Sequence, residues 1–441
     1  MPSRLLRTGL TLAALRLVGG LIAFLAAPII AKRFGLDPAL DAFYVASSIP
    51  FVLSSIALIG GLETAVPPVF RSLTTDETDN NGWGFVNALW PLALAGVLIV
   101  AAISFALMPR LLPLLAPGLD AERERAAIAM ARVLLIAPII AAPMGAWRGA
   151  LIADNRLIGP AALVAAGSAI YFLAVALAPD SLGAWTLVAA TLSASLTGIL
   201  GLLIFFPRAL TAQLKPRFDF RHPGLRAALA LLVPLGINEL VYHSDFVIMR
   251  GFATNVGPGV VAAYEFASRP VAAAITLLVA GIVTPAFPEL ARAANDLPAF
   301  RTVLNRAMKA MFAVALPLAL TFLVLRGPIV TFLYQRGRFT AEEAALVAPA
   351  LAALAPYFFL TAVVQPLAHA TYARQQPLWT VAGSLIGLAF SAGGAYFLSR
   401  RFGLIGIAIA DGLGAVPLVA VLMAWQWRTN REAAKNAKKK W

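Results

Sequence analysis

The segment AFYVASSIPFVLSSIALIGGLETAVPP at residues 42–68 is written a second time, as AAYEFASRPVAAAITLLVAGIVTPAFP at residues 262–288. At a constant offset of 220, without a gap, eight positions agree: Ala42 with Ala262, Tyr44 with Tyr264, Ser48 with Ser268, Pro50 with Pro270, Leu58 with Leu278, Gly61 with Gly281, Thr64 with Thr284 and Pro68 with Pro288. The same offset pairs Ala150 with Ala370, Gly183 with Gly403 and Ala190 with Ala410. Chance rarely places two prolines and a glycine alike, so the chain reads as two related halves of about 220 residues.

Composition says where those halves reside. A chain that is 60% hydrophobic and 13% charged, with a mean hydropathy of +0.83, carries more apolar surface than a soluble protein of 441 residues can bury. It reads as an integral membrane protein. The absence of cysteine excludes disulfides, thiolate metal sites and cysteine nucleophiles. With three histidines (His222, His243, His369) little remains for metal chemistry, and no metal site is expected. The formal charge of +14 reflects the Lys and Arg that membrane proteins collect in cytoplasmic loops, not a nucleic-acid partner.

Apolar runs of about 20 residues, the length that crosses the hydrocarbon as a helix, fall near 10–30, 41–62, 85–107, 126–152, 158–177 and 182–206 in the first half. In the second they fall near 227–249, 260–284, 311–325, 344–367, 378–398 and 403–425. The first run is too long for a signal peptide and holds Arg16, so it reads as an uncleaved helix. The expected fold is an all-α polytopic membrane protein with about 12 transmembrane helices in two six-helix bundles. An even number of spans per half relates the bundles by a pseudo-two-fold axis along the membrane normal, the architecture of parallel-repeat transporters. The expected organisation is an N-terminal bundle at 1–206, a basic cytoplasmic linker at 207–226, a C-terminal bundle at 227–427 and a basic, solvated cytoplasmic tail at 428–441. With both termini cytoplasmic, about 21 Lys and Arg lie inside and about 11 outside. The acidic loop at 74–81 is the one mild disagreement.

Charges inside spans point to function, because each is costly among lipid tails. Arg16 lies in the first span and Arg269 in the eighth, one turn after Glu265, a spacing that lets Glu265 neutralise it. In the seventh span the segment NELVYHSD holds Asn238, Glu239, His243 and Asp245, with Glu239 and His243 on one face. Glu239, Asp245 and Glu265 are candidates for a coupling proton or sodium ion, while Asp411, Glu63 and Arg132 are further charges in or near spans. Asp245 at the outer end of its helix, merely solvated, is the competing reading. Pro50 and Pro270, repeated in both halves, are hinge candidates. The intramembrane charges do not repeat: Arg16 falls opposite Gly236 and Arg269 opposite Ile49. An arginine from each half suits a substrate bearing a diphosphate, which a guanidinium grips by two parallel hydrogen bonds.

Three stretches resemble a known family. RFGLDPALDAFYVASSIP at 33–50, LYQRGRFTAEEA at 333–344 and ATYARQQP at 370–377 are similar to motifs of the MurJ/MviN lipid II flippases, within the multidrug/oligosaccharidyl-lipid/polysaccharide exporter superfamily. The resemblance runs from about Arg16 to the end of the last span. It implies an alternating-access flippase of the bacterial cytoplasmic (inner) membrane. Its substrate would be an undecaprenyl-diphosphate-linked saccharide, lipid II, the peptidoglycan precursor, carried from the inner to the outer leaflet without a cofactor. By position, Arg16 and Arg269 match cavity arginines of the family and Asp41 its helix 2 aspartate. Ser54 stands where typical members have an arginine, Gln365 where they have a lysine, and Ile22 where they have a second helix 1 arginine. Many members add two helices that this chain does not show, and the span at 378–398 holds no acid to match the sodium-binding carboxylates of some relatives.

Alternatives from the residues themselves are a flippase for another polyprenyl-linked exopolysaccharide or capsule unit and a cation-coupled drug or metabolite exporter of the same superfamily. A non-transporting scaffold for cell-wall enzymes is the third. Cell-wall glycosyltransferases are expected partners of the first reading. No Walker loop or catalytic triad marks an enzyme.

Overall fold

The computed structural model describes residues 2–56, 59–74, 81–205 and 215–438. In chain order the first helices are α1 (Pro2–Phe34), α2 (Pro38–Ile56), α3 (Ile59–Leu73), α4 (Asn81–Leu115), α5 (Ala121–Leu134), α6 (Ile136–Ala153), α7 (Ile158–Leu177) and α8 (Trp185–Phe205). The second series is α9 (Pro223–Val256), α10 (Val260–Leu278), α11 (Thr284–Arg292), α12 (Leu297–Val324), α13 (Arg326–Tyr334), α14 (Ala341–Ala353), α15 (Ala355–Ala373) and α16 (Leu378–Lys438). Among the described residues eight helices are long and apolar enough to cross a membrane, or nine if the α14–α15 pair, bent by 41°, forms one span.

The described part of every expected span is mostly helical, but helices and spans do not correspond one to one. The runs at 378–398 and 403–425 form the two helical arms of α16, which meet at Gly403, where the backbone is non-helical (φ 56°, ψ −131°). The run at 126–152 breaks at Leu135, between α5 and α6. One expectation changes. The ninth run, placed at 311–325, belongs to α12, which starts at Leu297 behind an Asp296 cap whose side chain accepts the Ala299 N–H; the polar first turns had hidden it. The short α13 fills part of the LYQRGRFTAEEA stretch. α16 continues through the tail as far as Lys438. There Thr429 is buried and the Asn430 carbonyl accepts an Arg301 N–H at 2.7 Å, which ties the tail to α12. Most of the acidic loop, and the linker up to residue 214, lie outside the described residues.

Both repeated prolines sit inside continuous α-helix, Pro50 in α2 and Pro270 in α10. The departure from α geometry comes later, at the π turn Val279–Val283 around the repeated Gly281.

The chain packs as two compact units, Met1–Arg33 with Asp37–His243 and Phe34–Leu36 with Ser244–Trp441. The packing boundary falls inside α9, between His243 and Ser244. The reason lies in the first unit, where Leu225, Ala228 and Leu232 of α9 join Leu62, Val66, Phe85 and Ala150 in one buried cluster. The linker approaches the same region: the Arg217 and Lys215 N–H groups donate to the Asn87 backbone and side-chain oxygens at 2.9 and 3.0 Å.

Lipid is as apolar as leucine, so helices in a bilayer associate through close packing of small residues. In the first unit a Cβ on Gly149 would lie 2.7 Å from the Val66 Cβ, and one on Gly19 would lie 3.1 Å from the Ala165 Cα. In the second unit the two arms of α16 touch through Gly387 and Gly414. Leu290, Phe300, Leu304, Val364, Leu422 and Trp425 fill its core, and the Trp425 indole N–H donates to the Gln376 side chain at 2.6 Å.

Polar fasteners secure helix ends. Arg33 donates to the Val175 and Ala178 carbonyls at the end of α7, at 2.5 and 2.6 Å, and to Asp180 at 2.7 Å. Thr340 and Glu343 form a capping box at the start of α14, and the second Glu343 oxygen accepts the Leu36 N–H at 2.8 Å. Two of the motifs singled out by sequence meet at that carboxylate.

Candidate functional site

In the first unit Arg16 lies on α1 with its side chain exposed among the equally exposed Leu17, Val18 and Leu21. Gly19, one turn on, sets the close approach of α1 to α7. Asp41, in the first turn of α2, is 0% exposed and lies 3.7 Å from the Arg123 guanidinium. Arg123 also pairs with Asp120 at 2.8 Å. Asp120 caps α5; its bond from the Arg123 backbone N–H, and then the Arg123 side chain, hold its carboxyl below the usual range. Ser54 donates its hydroxyl to the Pro50 carbonyl at 2.8 Å. Glu239 and His243 do share a face, 3.4 Å apart, and the His243 ring stacks on Phe51.

In the second unit Glu265 pairs with an arginine of the neighbouring helix. Glu265 accepts the Arg250 Nε–H at 2.7 Å, with Arg250 7% and Glu265 6% exposed. Arg269, partly buried, follows one turn later on α10. Sequence reading missed Arg250 because it ended the seventh span at Met249; α9 runs on to Val256 and places this arginine inside the helix. An arginine one residue beyond an apolar run was the available signal.

A second cluster joins three helices of the same unit. Ser391 of α16 donates to Asp245 of α9 at 2.5 Å, and the buried Tyr264 hydroxyl of α10 donates to Asp411 of α16. Asp411 is 4% exposed, and its Oδ1 has no hydrogen-bond partner among the described residues. The close approach of Gly387 and Gly414 brings the two arms of α16, and with them Ser391 and Asp411, together. Asp245 is therefore drawn into the protein, bonded to Ser391, and not merely solvated at a helix end. Gln365 contributes its backbone carbonyl to His369 Nδ1 at 2.9 Å and keeps a partly exposed side chain. Among the described residues no group of His, Asp and Glu is placed to hold a metal ion.

Repeated all-helical halves with arginines and carboxylates embedded in apolar helices define a polytopic membrane transporter, not an enzyme. Residues 30–441 match the family described as lipid II flippase MurJ, and the chain belongs to that family. It is 25% identical over 438 residues to the probable lipid II flippase MurJ of Synechocystis, covering 95% of this chain and 80% of that protein. Identity to the lipid II flippase MurJ of Burkholderia cenocepacia is also 25%, over 431 residues, covering 93% and 81%. The fold is like that of a solved lipid II flippase MurJ in an inward closed conformation, with a TM-score of 0.78, 17% identity, and 93% and 86% of the two chains covered. It is also like an inward-facing multidrug resistance transporter of the MATE family, with a TM-score of 0.76, 16% identity and coverage of 95% and 98%.

Proposed function

We propose that this protein flips lipid II from the inner to the outer leaflet of the bacterial cytoplasmic membrane by alternating access. The family match over residues 30–441 carries this reading. A diphosphate head group does not cross hydrocarbon unaided, so the protein supplies a wet path while the polyprenyl tail stays in lipid. Arg16 of the first unit and Arg269 of the second are each candidates to bind the diphosphate, and Ser54 and Gln365 are candidate substrate contacts, whereas Asp41 is 0% exposed beside Arg123. Pro50 and Pro270 act as hinges, and both termini are cytoplasmic. Moving about two negative charges outward across an inside-negative potential gains about 2.3 kcal/mol per charge per 100 mV. The potential itself biases the direction.

Return of the empty carrier is coupled to a cation bound at Asp245, supported by its bond to Ser391 and by the open Asp411 oxygen in the same unit. Glu265 is less suited to that role, being held by Arg250. Glu239, beside His243, is a further candidate. Glycosyltransferases of cell-wall synthesis are the expected partners.

The test uses cells whose own lipid II flippase is switched off. Expression of this chain should restore lipid II accessibility on the outer face and growth, and Arg16→Ala should abolish both. Lipid II remaining inside, with the protein present in the membrane, would overturn the reading. That result would favour another polyprenyl-linked saccharide, a substrate compatible with Ser54 and Gln365 standing in place of cationic residues.

A further inference from the structure

Pro91 lies inside α4 and carries no N–H, so the Asn87 carbonyl one turn earlier has no helical donor. The Arg217 N–H takes that oxygen at 2.9 Å, and the Lys215 N–H takes the Asn87 side-chain oxygen at 3.0 Å. Asn87 is buried, so the linker is fixed to α4 by bonds that face little competition from water. Further along, the His222 ring lies 6.1 Å from the Phe85 ring of the same helix, and a Cβ on Gly224 would lie 2.6 Å from the Phe85 Cδ2. Residues 218–221 are thus held on α4 from both sides.

That stretch presents two rings to its surroundings: Phe218 is 68% and Phe220 71% exposed. Lys215, Arg217 and Arg221 around them are exposed as well. Asp219, the one acid from 215 to 221, accepts the Arg221 N–H at 3.1 Å in an Asx turn. The depth of the stretch follows from α4, whose 35 residues at about 1.5 Å each extend about 52 Å, against about 30 Å of hydrocarbon. Shared between the two ends, the excess is about seven residues at each, and Asn87 is the seventh residue of the helix. Trp83 and Trp90, one turn to either side of it, are of the residue type that collects at the membrane–water interface.

We infer that residues 215–221 anchor the linker to the bilayer: Phe218 and Phe220 enter the boundary between head groups and acyl chains, while Lys215, Arg217 and Arg221 meet anionic phospholipid head groups. Rings without a polar tip gain by leaving water, and cations beside them gain from an anionic surface. With the linker cytoplasmic, this surface is the inner leaflet. The anchor ties the start of α9, which packs in the same unit, to that leaflet. It involves no substrate and stands apart from the flipping reading.

The chain has no cysteine, so single labels can be placed without background. Phe218→Cys and Phe220→Cys, each carrying an NBD fluorophore, are measured in the full-length protein, one chain per nanodisc, in phosphatidylcholine mixed with phosphatidylglycerol. Quenching by a nitroxide on the lipid acyl chain near the head group is compared with quenching by a water-soluble nickel chelate. The lipid-borne quencher is expected to act more strongly at both positions, by about threefold or more. Lipid quenching should fall in phosphatidylcholine alone, and Arg217→Gln with Arg221→Gln should remove that difference between the two lipids. As a label-free check, Phe218→Ser with Phe220→Ser should speed amide hydrogen exchange across 218–221 in the anionic nanodiscs and leave the melting temperature unchanged, since both rings are exposed. Labels quenched only from water overturn the anchor and leave the rings to a soluble partner. Lipid quenching indifferent to phosphatidylglycerol overturns the role of the cations, and unchanged exchange in the double serine variant overturns that of the rings.

Discussion

Asn155 and Gln375 stand 220 residues apart and share one backbone conformation: among the described non-glycine residues these two have positive φ, 58° and 56°. Each ends a helix in the same way. The Asn155 and Arg156 N–H groups donate back to the Ile152 and Leu151 carbonyls, as those of Gln375 and Gln376 do to Tyr372 and Thr371, the paired bonds of a Schellman cap. Gly183 and Gly403, also one repeat apart, match in φ as well, at 50° and 56°. Divergence has altered the side chains but not the turns.

Glutamine tolerates the left-handed region less well than asparagine, and both less well than glycine. Gln375→Gly should therefore stabilise the protein by up to about 1 kcal/mol, net of the extra chain entropy of glycine, and Asn155→Gly by less. Thermal unfolding in detergent checks this; a lower midpoint for Gln375→Gly would contradict the cap.

The two arms of α16 depend on glycine contact. A Cβ on Gly387 would lie 2.4 Å from the Gly414 carbonyl oxygen, and one on Gly414 would lie 2.7 Å from the Ser391 Cβ. Gly387→Ala should cost about 1–3 kcal/mol by forcing the arms apart. Gly393→Ala, with open space at its Cβ, is the control and should leave the midpoint near that of the unmodified protein.

Asp120 supplies a pH dependence. Its folded pKa lies below its unfolded one, so the stabilisation is present at neutral pH and is lost as pH falls through the unfolded and then the folded value. The melting midpoint should fall as pH drops below about 4, near the ordinary aspartate range. Asp120→Asn, which keeps a capping oxygen without the charge, should show a shallower decline over the same titration.

The Asp245–Ser391 and Tyr264–Asp411 contacts predict where ion coupling is lost. Asp245→Asn and Asp411→Asn should each remove the dependence of lipid II flipping in vesicles on an imposed proton or sodium gradient while leaving its dependence on Arg16. Full gradient dependence in both variants would move the coupling site elsewhere, with Glu239 the next residue to test.

Much of the fold was legible because its signals are one-dimensional. Apolar runs, the 220-residue repeat and the motifs at 33–50 and 333–344 are written along the chain. The site was legible only in part. Arg16, Arg269 and Asp245 stand out as charges in apolar runs, whereas Arg250 was hidden by a span boundary one residue short. The burial of Asp41 beside Arg123 and the cap that Arg33 places on α7 link residues tens to more than a hundred positions apart, with no local pattern to announce them.

By itself the sequence determined that this is a membrane protein, that it is built twice, where its helices run and which family its motifs resemble, since hydropathy and internal identity need no knowledge of neighbours. Only the tertiary structure decided that Glu265 meets Arg250 of the next helix, and that Tyr264 meets Asp411. A buried charge takes the partner that helix packing brings to its face, and spacing along one helix does not reveal what the next helix offers.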